Sequence, residues 1–382
     1  MWVSQLALTD IRSYGEVEVS LQPGVTTFVG RNGQGKTNLV EAIGYVATLG
    51  SHRVASDAPL VRFGTEQGFI RCSVNTHDRE TMVELAILPG RANKARINRS
   101  PVTRTKDVLG ILRVVIFAPE DLSLVKGDPL DRRKFLDDLL VQRIPRLAGT
   151  RQDLDRILKQ RNALLKSART NRKANDEYLD STLSVWNEQL ATTGAEIIAA
   201  RQVLLSELAE PAVDNYTYIS EDPTAKLSLS YLSNLSSVLG DAVPIGSPDK
   251  EEWKAALLEA MNVRRKDEVD RGLTLVGPQR DDLHLGLGPV PAKGYASHGE
   301  SWSIALALRL ASFDVLRSDG EDPVLILDDV FAELDAKRRE RLASRLTQAT
   351  QVLITAAVDA DIPIKLLGSR FRVDAGKVSH DH

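Results

Sequence analysis

The two halves of one predicted nucleotide site lie near opposite ends of this 382-residue chain, and this separation constrains the fold more than any other feature. Residues 30–37 match the phosphate-loop pattern G-x-x-x-x-G-K-[ST] without a gap. Far along the chain, the apolar residues 324–327 precede Asp328 and Asp329, as in the metal-binding strand that accompanies such a loop. A plain nucleotide-binding domain keeps these segments closer together, so the spacing predicts a large insertion.

The predicted phosphate loop stands between a strand pattern at 25–29 and a helix pattern at 38–43. Its glycines permit backbone conformations that a Cβ would forbid, and N–H groups at a helix N-terminus bind anions. Lys36 is expected to hold the β- and γ-phosphates, and Thr37 to ligate Mg²⁺. The predicted nucleotide contacts are Gly30, Arg31, Asn32, Gly33, Gln34, Gly35, Lys36 and Thr37.

The acidic pair after the second segment predicts the rest of the catalytic group. Asp328 is expected to hold Mg²⁺ together with Thr37, and Asp329 to act as the base that orients the attacking water. Taken alone, the two acids are equally compatible with a strand end that caps the next helix. Paired with the phosphate loop, they predict ATP and Mg²⁺ as cofactors, with Lys36, Asp328 and Asp329 as catalytic residues.

A second anion site is predicted at Ser297 and Gly299, just before the apolar helix pattern at 302–316. One chain already carries such a site in its phosphate loop. A second one is useful if it covers the γ-phosphate that another copy of the protein holds. The alternative is an ordinary helix N-cap formed by Ser297 or Ser301 with nothing bound.

In this order, the motifs resemble those of the SMC-like class of ABC-type ATPases of chromosome maintenance, and within that class the RecF family. The likeness extends from about residue 3 to about residue 375 and is weakest at 150–265. Four further stretches carry it: residues 8–14, 117–122, 125–137 and 277–282. The chain departs from the family pattern at Glu300, which stands for a glutamine, and at Gln279, which stands for a histidine.

The resemblance implies a position for Arg12 near the nucleotide and a homodimer that forms head to tail on ATP. It implies binding to double-stranded and gapped DNA, cooperation with RecR and RecO, and help in loading RecA. It also implies a slow, weakly DNA-stimulated ATPase that is used as a switch. Slow turnover agrees with Asp329, which is one methylene shorter than the glutamate of SMC proteins and transporters.

Composition is that of a soluble globular protein, with 42% hydrophobic and 26% charged residues. The single cysteine, Cys72, excludes an internal disulfide and is expected in the core. No apolar run is long enough to span a bilayer, and the first residues do not form a secretory signal. We therefore expect no membrane partner and a cytoplasmic protein, and the family resemblance implies that it is nucleoid-associated.

A net charge of −3 argues mildly against DNA binding and requires any DNA surface to be local. The scarcity of aromatic residues favours duplex backbone contacts over base stacking. Residues 71–76 and 81–88 alternate around a polar turn and predict a hairpin. One candidate surface lies around a predicted hairpin and contains Arg91, Lys94, Arg96, Arg99, Arg104 and Lys106. The main candidates, equally compatible with a solvated helix face, are Arg151, Arg156, Lys159, Arg161, Lys166, Arg169, Arg172 and Lys173.

These features predict an α/β fold: an ABC-type P-loop ATPase head, with a mixed sheet plus an antiparallel β subdomain, and an inserted short helical arm. The predicted domains are 1–130 for the first part of the head, 131–270 for the arm and 271–382 for the rest of the head. Pro145 is expected to interrupt the helical pattern of the arm, and Pro211 to end it.

Three other classes of protein predict different sequence features. A transporter subunit predicts a shorter spacing, a glutamate in place of Asp329 and a switch histidine after residues 354–355, none of which is present. A P-loop small-molecule kinase leaves Ser297 and Gly299 unexplained. An SMC-like scaffold that binds ATP with little turnover stays open.

Overall fold

The computed structural model describes residues 1–77, 79–170, 176–220 and 226–381. The chain divides into two compact units. The first comprises Met1–Val125, Pro211–Ala225 and Ala296–His382, and the second comprises Lys126–Glu210 and Lys226–Tyr295. No described helix is both long enough and apolar enough to cross a membrane.

In chain order, the first half begins with strands and continues into helices: β1 (Trp2–Ile11), β2 (Tyr14–Ser20), β3 (Gly24–Val29), α1 (Lys36–Thr48), β4 (Gly68–Asn75), β5 (Glu80–Ile87), β6 (Lys94–Ile97), β7 (Ser100–Pro101), β8 (Val114–Phe117), α2 (Ser123–Lys126), α3 (Pro129–Arg143), α4 (Leu147–Thr170) and α5 (Asp176–Ser220). The second half alternates between the two types: β9 (Leu227–Leu232), α6 (Ser236–Leu239), α7 (Lys250–Arg271), β10 (Asp282–Leu287), β11 (Val290–Pro291), α8 (Ala292–Tyr295), α9 (His298–Ser318), β12 (Val324–Asp328), α10 (Ala336–Leu346), β13 (Gln351–Ala356), β14 (Ser369–Asp374) and β15 (Lys377–Asp381).

The mixed sheet of the first unit has the strand order β15-β14-β3-β13-β12-β8. All neighbours are parallel except β14 and β15. Strand β12 is buried along its whole length, as its continuous apolar sequence predicts for a central parallel strand. Because parallel strands end at the same sheet edge, the loop after β3 and the acids after β12 meet at one edge, with β13 between them.

An antiparallel sheet, β2-β1-β4-β5-β6-β7, completes the first unit and confirms the predicted hairpin of β4 and β5. Helix α1 contributes Leu39 and Ile43 to a hydrophobic core that includes Leu6 of β1 and Ile326 of β12. Burying each such side chain contributes about 1.5–3 kcal/mol. Cys72 is fully buried in this core, and burial raises the pKa of its thiol to about 12.

The second unit contains α3, α4, α7, most of α5 and a small antiparallel sheet, β11-β10-β9. The residue limits of this unit differ from those of the predicted arm, 131–270. Strand β10 pairs with β9 over residues 282–287, which places 271–295 in this unit because its backbone hydrogen bonds are made there. Residues 211–220 instead belong to the first unit.

The prediction that Pro211 ends the helix is wrong, because α5 continues through it to Ser220. A proline inside a helix removes one N–H donor and its ring clashes with the preceding turn, so the helix needs other contacts to continue. Beyond it, the amide of Asn215 donates to Asp314 at 2.8 Å and accepts from Arg345 at 2.7 Å. These contacts within the first unit hold the last turns of α5. Pro145 lies between α3 and α4, as predicted.

Candidate nucleotide-binding site

The phosphate loop joins β3 to α1 in a conformation that depends on glycine. Gly33 and Gly35 have φ values of 81° and 111°, in the left-handed region that favours glycine. The backbone carbonyl of Gly35 accepts a hydrogen bond from Tyr14 Oη at 3.1 Å. A Cβ at Gly35 would lie 2.8 Å from Oη of Tyr14, so this position also lacks space for a side chain.

Lys36 begins α1 and its side chain folds back over the loop. Nζ donates to the carbonyl of Arg31 and to Oδ1 of Asn32, both at 3.3 Å, while the residue is only 3% exposed. Both hydrogen bonds are long, and phosphate oxygens make stronger, charge-assisted ones. A buried ammonium over a nest of backbone N–H groups therefore suits a bound polyphosphate.

Thr37 and Asp328 are joined at the shared sheet edge. Oγ1 of Thr37 donates to Oδ1 of Asp328 at 2.8 Å. Thr355, the register partner of Asp328 on β13, donates to the same oxygen at 2.7 Å. The hydroxyl of Thr355 also accepts from the backbone N–H of Asp329 at 2.9 Å. Sequence reasoning missed Thr355, although a hydroxyl at the end of an otherwise apolar strand was an available signal.

His52 is a second residue of this group that the sequence did not predict. Its Nε2 lies 3.5 Å from Oδ2 of Asp328, at ion-pair distance but without the geometry of a hydrogen bond. Burial opposes ionisation of Asp328, but polar contacts with His52, Thr355 and Thr37 outweigh it and hold the pKa of this carboxyl below its usual value. Asp328 is therefore a stable carboxylate. No local motif marks His52.

The pair formed by Thr37 and Asp328 fits Mg²⁺. Both supply hard oxygen donors, and Mg²⁺ typically takes one or two protein ligands of this kind and completes its shell with phosphates and water. Among the described residues no group of three or more His, Cys, Asp or Glu side chains could hold a metal by itself. A protein-only cage is not required for an ion that arrives with a nucleotide.

Asp329 sits in a strained backbone position at the end of β12. Its φ is 53°, in the left-handed region, which an aspartate tolerates better than most residues do. Burial raises the pKa of its carboxyl, and the positive charge of Lys36 opposes this effect without cancelling it. A carboxylate with a raised pKa next to a phosphate site is suited to accept a proton.

Arg12 lies beside the loop helix and binds it. Its guanidinium makes two hydrogen bonds to the carboxylate of Glu41, at 2.9 and 2.7 Å. Glu41 is 1% exposed and also accepts from Ser51. Arg12 is thus fixed against α1, and its predicted contact with a nucleotide stays a prediction.

Ser297 caps helix α9, as the alternative for this segment proposed. Its Oγ accepts from the backbone N–H of Glu300 at 3.2 Å, and the carboxylate of Glu300 accepts from the N–H of Ser297 at 2.7 Å. This capping box turns the carboxylate of Glu300 back onto the helix terminus. The N-cap and an anion site at Gly299 are compatible, because the remaining N–H groups of the first turn still point out of the helix end.

The basic candidates at 151–173 divide into four groups, one of which is the buried Arg161. Lys159, Lys166, Arg156 and Arg169 are exposed. Arg151 is partly exposed and pairs with Asp137 and Asp138. Arg172 and Lys173 lie outside the described residues.

Arg161 is a correction to the predicted DNA surface. It is 2% exposed, and its guanidinium pairs with Glu268 and bonds Asn187 and Thr274 at 2.9 Å each. Glu268 is itself fully buried and accepts from the backbone N–H of Leu275 at 2.7 Å. Arg161 therefore stabilises the interior of the second unit. Its place in a run of basic residues put it among the surface candidates, although helical spacing puts it on the same face as the buried Ile157 and Leu165.

The phosphate loop, the acidic strand end and the sheet order define an SMC-type ATPase head. The family sequence model described as RecF/RecN/SMC N terminal domain matches residues 2–362. The solved head domain of the Smc protein from Pyrococcus furiosus matches at a TM-score of 0.55 with 17% identity, covering 100% of this chain and 96% of that one, and shows the fold alone.

Relatives of higher sequence identity identify the family within this class of ATPases. The DNA replication and repair protein RecF of Streptomyces avermitilis is 56% identical over 379 residues, covering 99% of both chains. That of Kineococcus radiotolerans is 57% identical over 377 residues, covering 96% of both. The structure of the recombination mediator protein RecF-ATP in the RecFOR pathway matches at a TM-score of 0.88 with 26% identity, covering 100% of this chain and 98% of that one. The chain belongs to the RecF family.

Proposed function

We propose that this chain is an ATP-dependent DNA clamp of recombinational repair and replication restart. Its relatives are named as DNA replication and repair proteins, and a similar solved protein is described as an ATP-bound recombination mediator. The observation that carries the proposal is the hydrogen bond between Thr37 and Asp328, which joins the phosphate loop to the acidic strand.

In this proposal, the loop residues and Lys36 bind the triphosphate of ATP, and Thr37 and Asp328 hold Mg²⁺. When bound, Mg²⁺ neutralises charge on the β- and γ-phosphate oxygens. Asp329 orients the attacking water and accepts its proton. The short side chain of Asp329 holds water loosely, so turnover is slow and serves to reset the clamp.

A second copy completes each site. Ser297 and Gly299 of one protomer cover the γ-phosphate that the other protomer holds, so ATP joins the two chains head to tail. Hydrolysis removes the γ-phosphate and with it the contact between the protomers. The dimer then opens and releases DNA.

The chain binds duplex DNA, including duplex next to single-strand gaps. The exposed basic side chains of α4 contact DNA phosphates, so binding depends on the salt concentration. By family resemblance the partners are RecR, with RecO and RecA in the same pathway, and the site of action is the cytoplasmic nucleoid.

A second candidate is an SMC-like scaffold that binds ATP with little turnover, which Asp329 in place of a glutamate favours. It shares the dimer with the clamp and differs in needing no hydrolysis. Measuring ATP turnover with and without gapped duplex DNA separates the two.

The test of the clamp is light scattering of the purified chain with and without ATP and Mg²⁺. We expect the mass to double only when both are present. The doubling is expected to disappear in Lys36→Ala, which weakens phosphate binding, and in Ser297→Arg, which blocks the second anion site. A native chain that stays monomeric with a non-hydrolysable ATP analogue would refute the proposal.

A further inference from the structure

Arg338, a residue of α10, lies against the first turn of α9, where Ser297 and Gly299 are found. Its Nε donates to Oγ of Ser303 at 2.9 Å, and that hydroxyl donates to the carbonyl of Gly299 at 3.1 Å. The guanidinium thus reaches the backbone of Gly299 through one intervening hydroxyl.

The space above Gly299 is filled by the same guanidinium. A Cβ at this position would lie 3.1 Å from one terminal nitrogen of Arg338 and 3.2 Å from the other. The helical φ of Gly299 does not require glycine. Its missing side chain instead allows a positive charge to approach the first turn of α9 closely.

Arg338 also contacts Asp335, the residue that caps α10. Oδ1 of Asp335 accepts from the backbone N–H of Arg338 at 2.9 Å, and Oδ2 pairs with its guanidinium. That backbone hydrogen bond is the main reason why the pKa of Asp335 lies below its usual value. Asp335 follows Asp329 after one short turn, Val330–Glu333.

We propose that Arg338 is a positioning residue that couples the anion-binding turn of α9 to the Asp328–Asp329 strand end. Its side chain contacts Ser303 in α9 and also Asp335, which follows Asp329 after one short turn, so the turn that contacts the partner's nucleotide and the segment that follows the base move together. Its charge also adds to the attraction of the α9 terminus for a γ-phosphate. This inference rests on the proposed ATP-dependent dimer.

Among the described residues, Arg338 makes no hydrogen bond or ion pair with the phosphate loop or with Asp328. Its removal should therefore leave the affinity of one chain for ATP unchanged and weaken the ATP-dependent dimer. A residue needed only for folding would weaken both. This difference makes the inference testable.

The experiment compares the native chain with Arg338→Met, Arg338→Lys and the control Arg317→Met. Arg317 lies in the last turn of the same helix α9, so its removal changes the net charge equally at the far end, on the order of 28 Å away. Nucleotide affinity is measured with a fluorescent ATP analogue at protein concentrations below dimerisation. Dimer affinity is measured by sedimentation with a non-hydrolysable analogue and Mg²⁺.

We expect Arg338→Met to keep the nucleotide affinity within about twofold and to weaken the dimer by about tenfold or more, because each site then lacks one salt-sensitive interaction. Arg338→Lys, which keeps the charge, should recover part of the dimer affinity, and Arg317→Met should match the native chain. A dimer as tight as the native one in Arg338→Met, or an equally weakened dimer in Arg317→Met, overturns the inference while the clamp survives. A native chain that does not dimerise overturns both.

Substitution of the facing residue supplies a second measurement. Gly299→Ala places a methyl group against the guanidinium and should weaken the native dimer. In Arg338→Met the same change should cost less, since the two residues then no longer compete for space. Equal effects of Gly299→Ala in the native chain and in Arg338→Met would contradict the proposed role of this close approach.

Discussion

Oγ1 of Thr37 donates a hydrogen bond to Oδ1 of Asp328 at 2.8 Å, although 291 positions separate the two residues. The contact arises because β3 and β12 flank β13 as parallel strands of one mixed sheet, so that their carboxyl ends share an edge. The whole second unit is inserted between them. The pair therefore depends on sheet topology and not on local sequence.

Replacing Asp328 by asparagine should abolish the advantage that Mg²⁺ gives to nucleotide binding. The amide keeps an oxygen for Thr37 but loses the charge that a divalent cation requires. We expect the affinity for ATP with Mg²⁺ to fall tenfold or more and the affinity without Mg²⁺ to change little. Titration of a fluorescent ATP analogue with and without Mg²⁺ measures both. An unchanged Mg²⁺ dependence would remove Asp328 from the metal site.

Asp329→Asn should still dimerise on ATP but turn it over more slowly, by a factor on the order of 10² to 10⁴ if the residue is the general base. Burial raises the pKa of Asp329, so native turnover should rise with pH through a value above that of an ordinary aspartate. The turnover of the variant should lack this rise with pH. The same rise in the variant would assign the general base to another residue.

The same raised pKa predicts that the stability of the folded chain falls as pH rises, whereas turnover rises. The folded chain binds the proton of Asp329 more tightly than the unfolded chain, so its contribution to stability declines as pH rises through the folded pKa. Asp329→Asn should therefore be at least as stable as the native chain at neutral pH. Thermal unfolding at several pH values measures this.

Arg161→Met should destabilise the protein without a direct effect on DNA binding. The change leaves Glu268 charged, buried and without its cationic partner, which typically costs about 3–5 kcal/mol. The control Arg156→Met removes an exposed pair with Asp153 on the same helix and should cost about 0.2–1 kcal/mol at most. Denaturant midpoints compare the two, and equal shifts would contradict the assignment of Arg161 to the interior. Adding Glu268→Leu to Arg161→Met should restore part of the stability.

Reversing the charge of Arg156, Lys159, Lys166 and Arg169 together should weaken duplex binding. The slope of log affinity against log salt should become shallower by about 0.9 for each phosphate that these side chains no longer neutralise. Reversing Arg91, Lys94, Arg96 and Arg99 instead is the matched control on the other candidate surface. If only the second set changes the slope, DNA binds that surface and α4 is a solvated face.

Local patterns predicted much of this molecule because local physics determines those parts. The phosphate loop needs its glycines and lysine in a fixed order, and the apolar run of β12 identifies a central parallel strand. The hairpin of β4 and β5 follows from simple alternation. The α/β head was therefore predictable from the sequence.

Long-range packing explains what the sequence did not predict. Arg161 lies at the helical spacing of the buried Ile157 and Leu165, but only its partner Glu268, 107 positions away, explains why a charged side chain is buried there. Pro211 continues a helix because Asn215 finds partners in distant segments. His52 joins the site from the turn after α1, where no motif marks it.

The most direct test of the composite site mixes two inactive variants. Lys36→Ala retains an intact Ser297–Gly299 turn, and Ser297→Arg retains an intact phosphate loop. Each variant alone should stay monomeric with ATP and Mg²⁺. Their mixture should form dimers with one complete site and recover part of the native turnover. A mixture that remains monomeric and inactive, or a Ser297→Arg chain that dimerises and turns over ATP by itself, would contradict a site built from two chains.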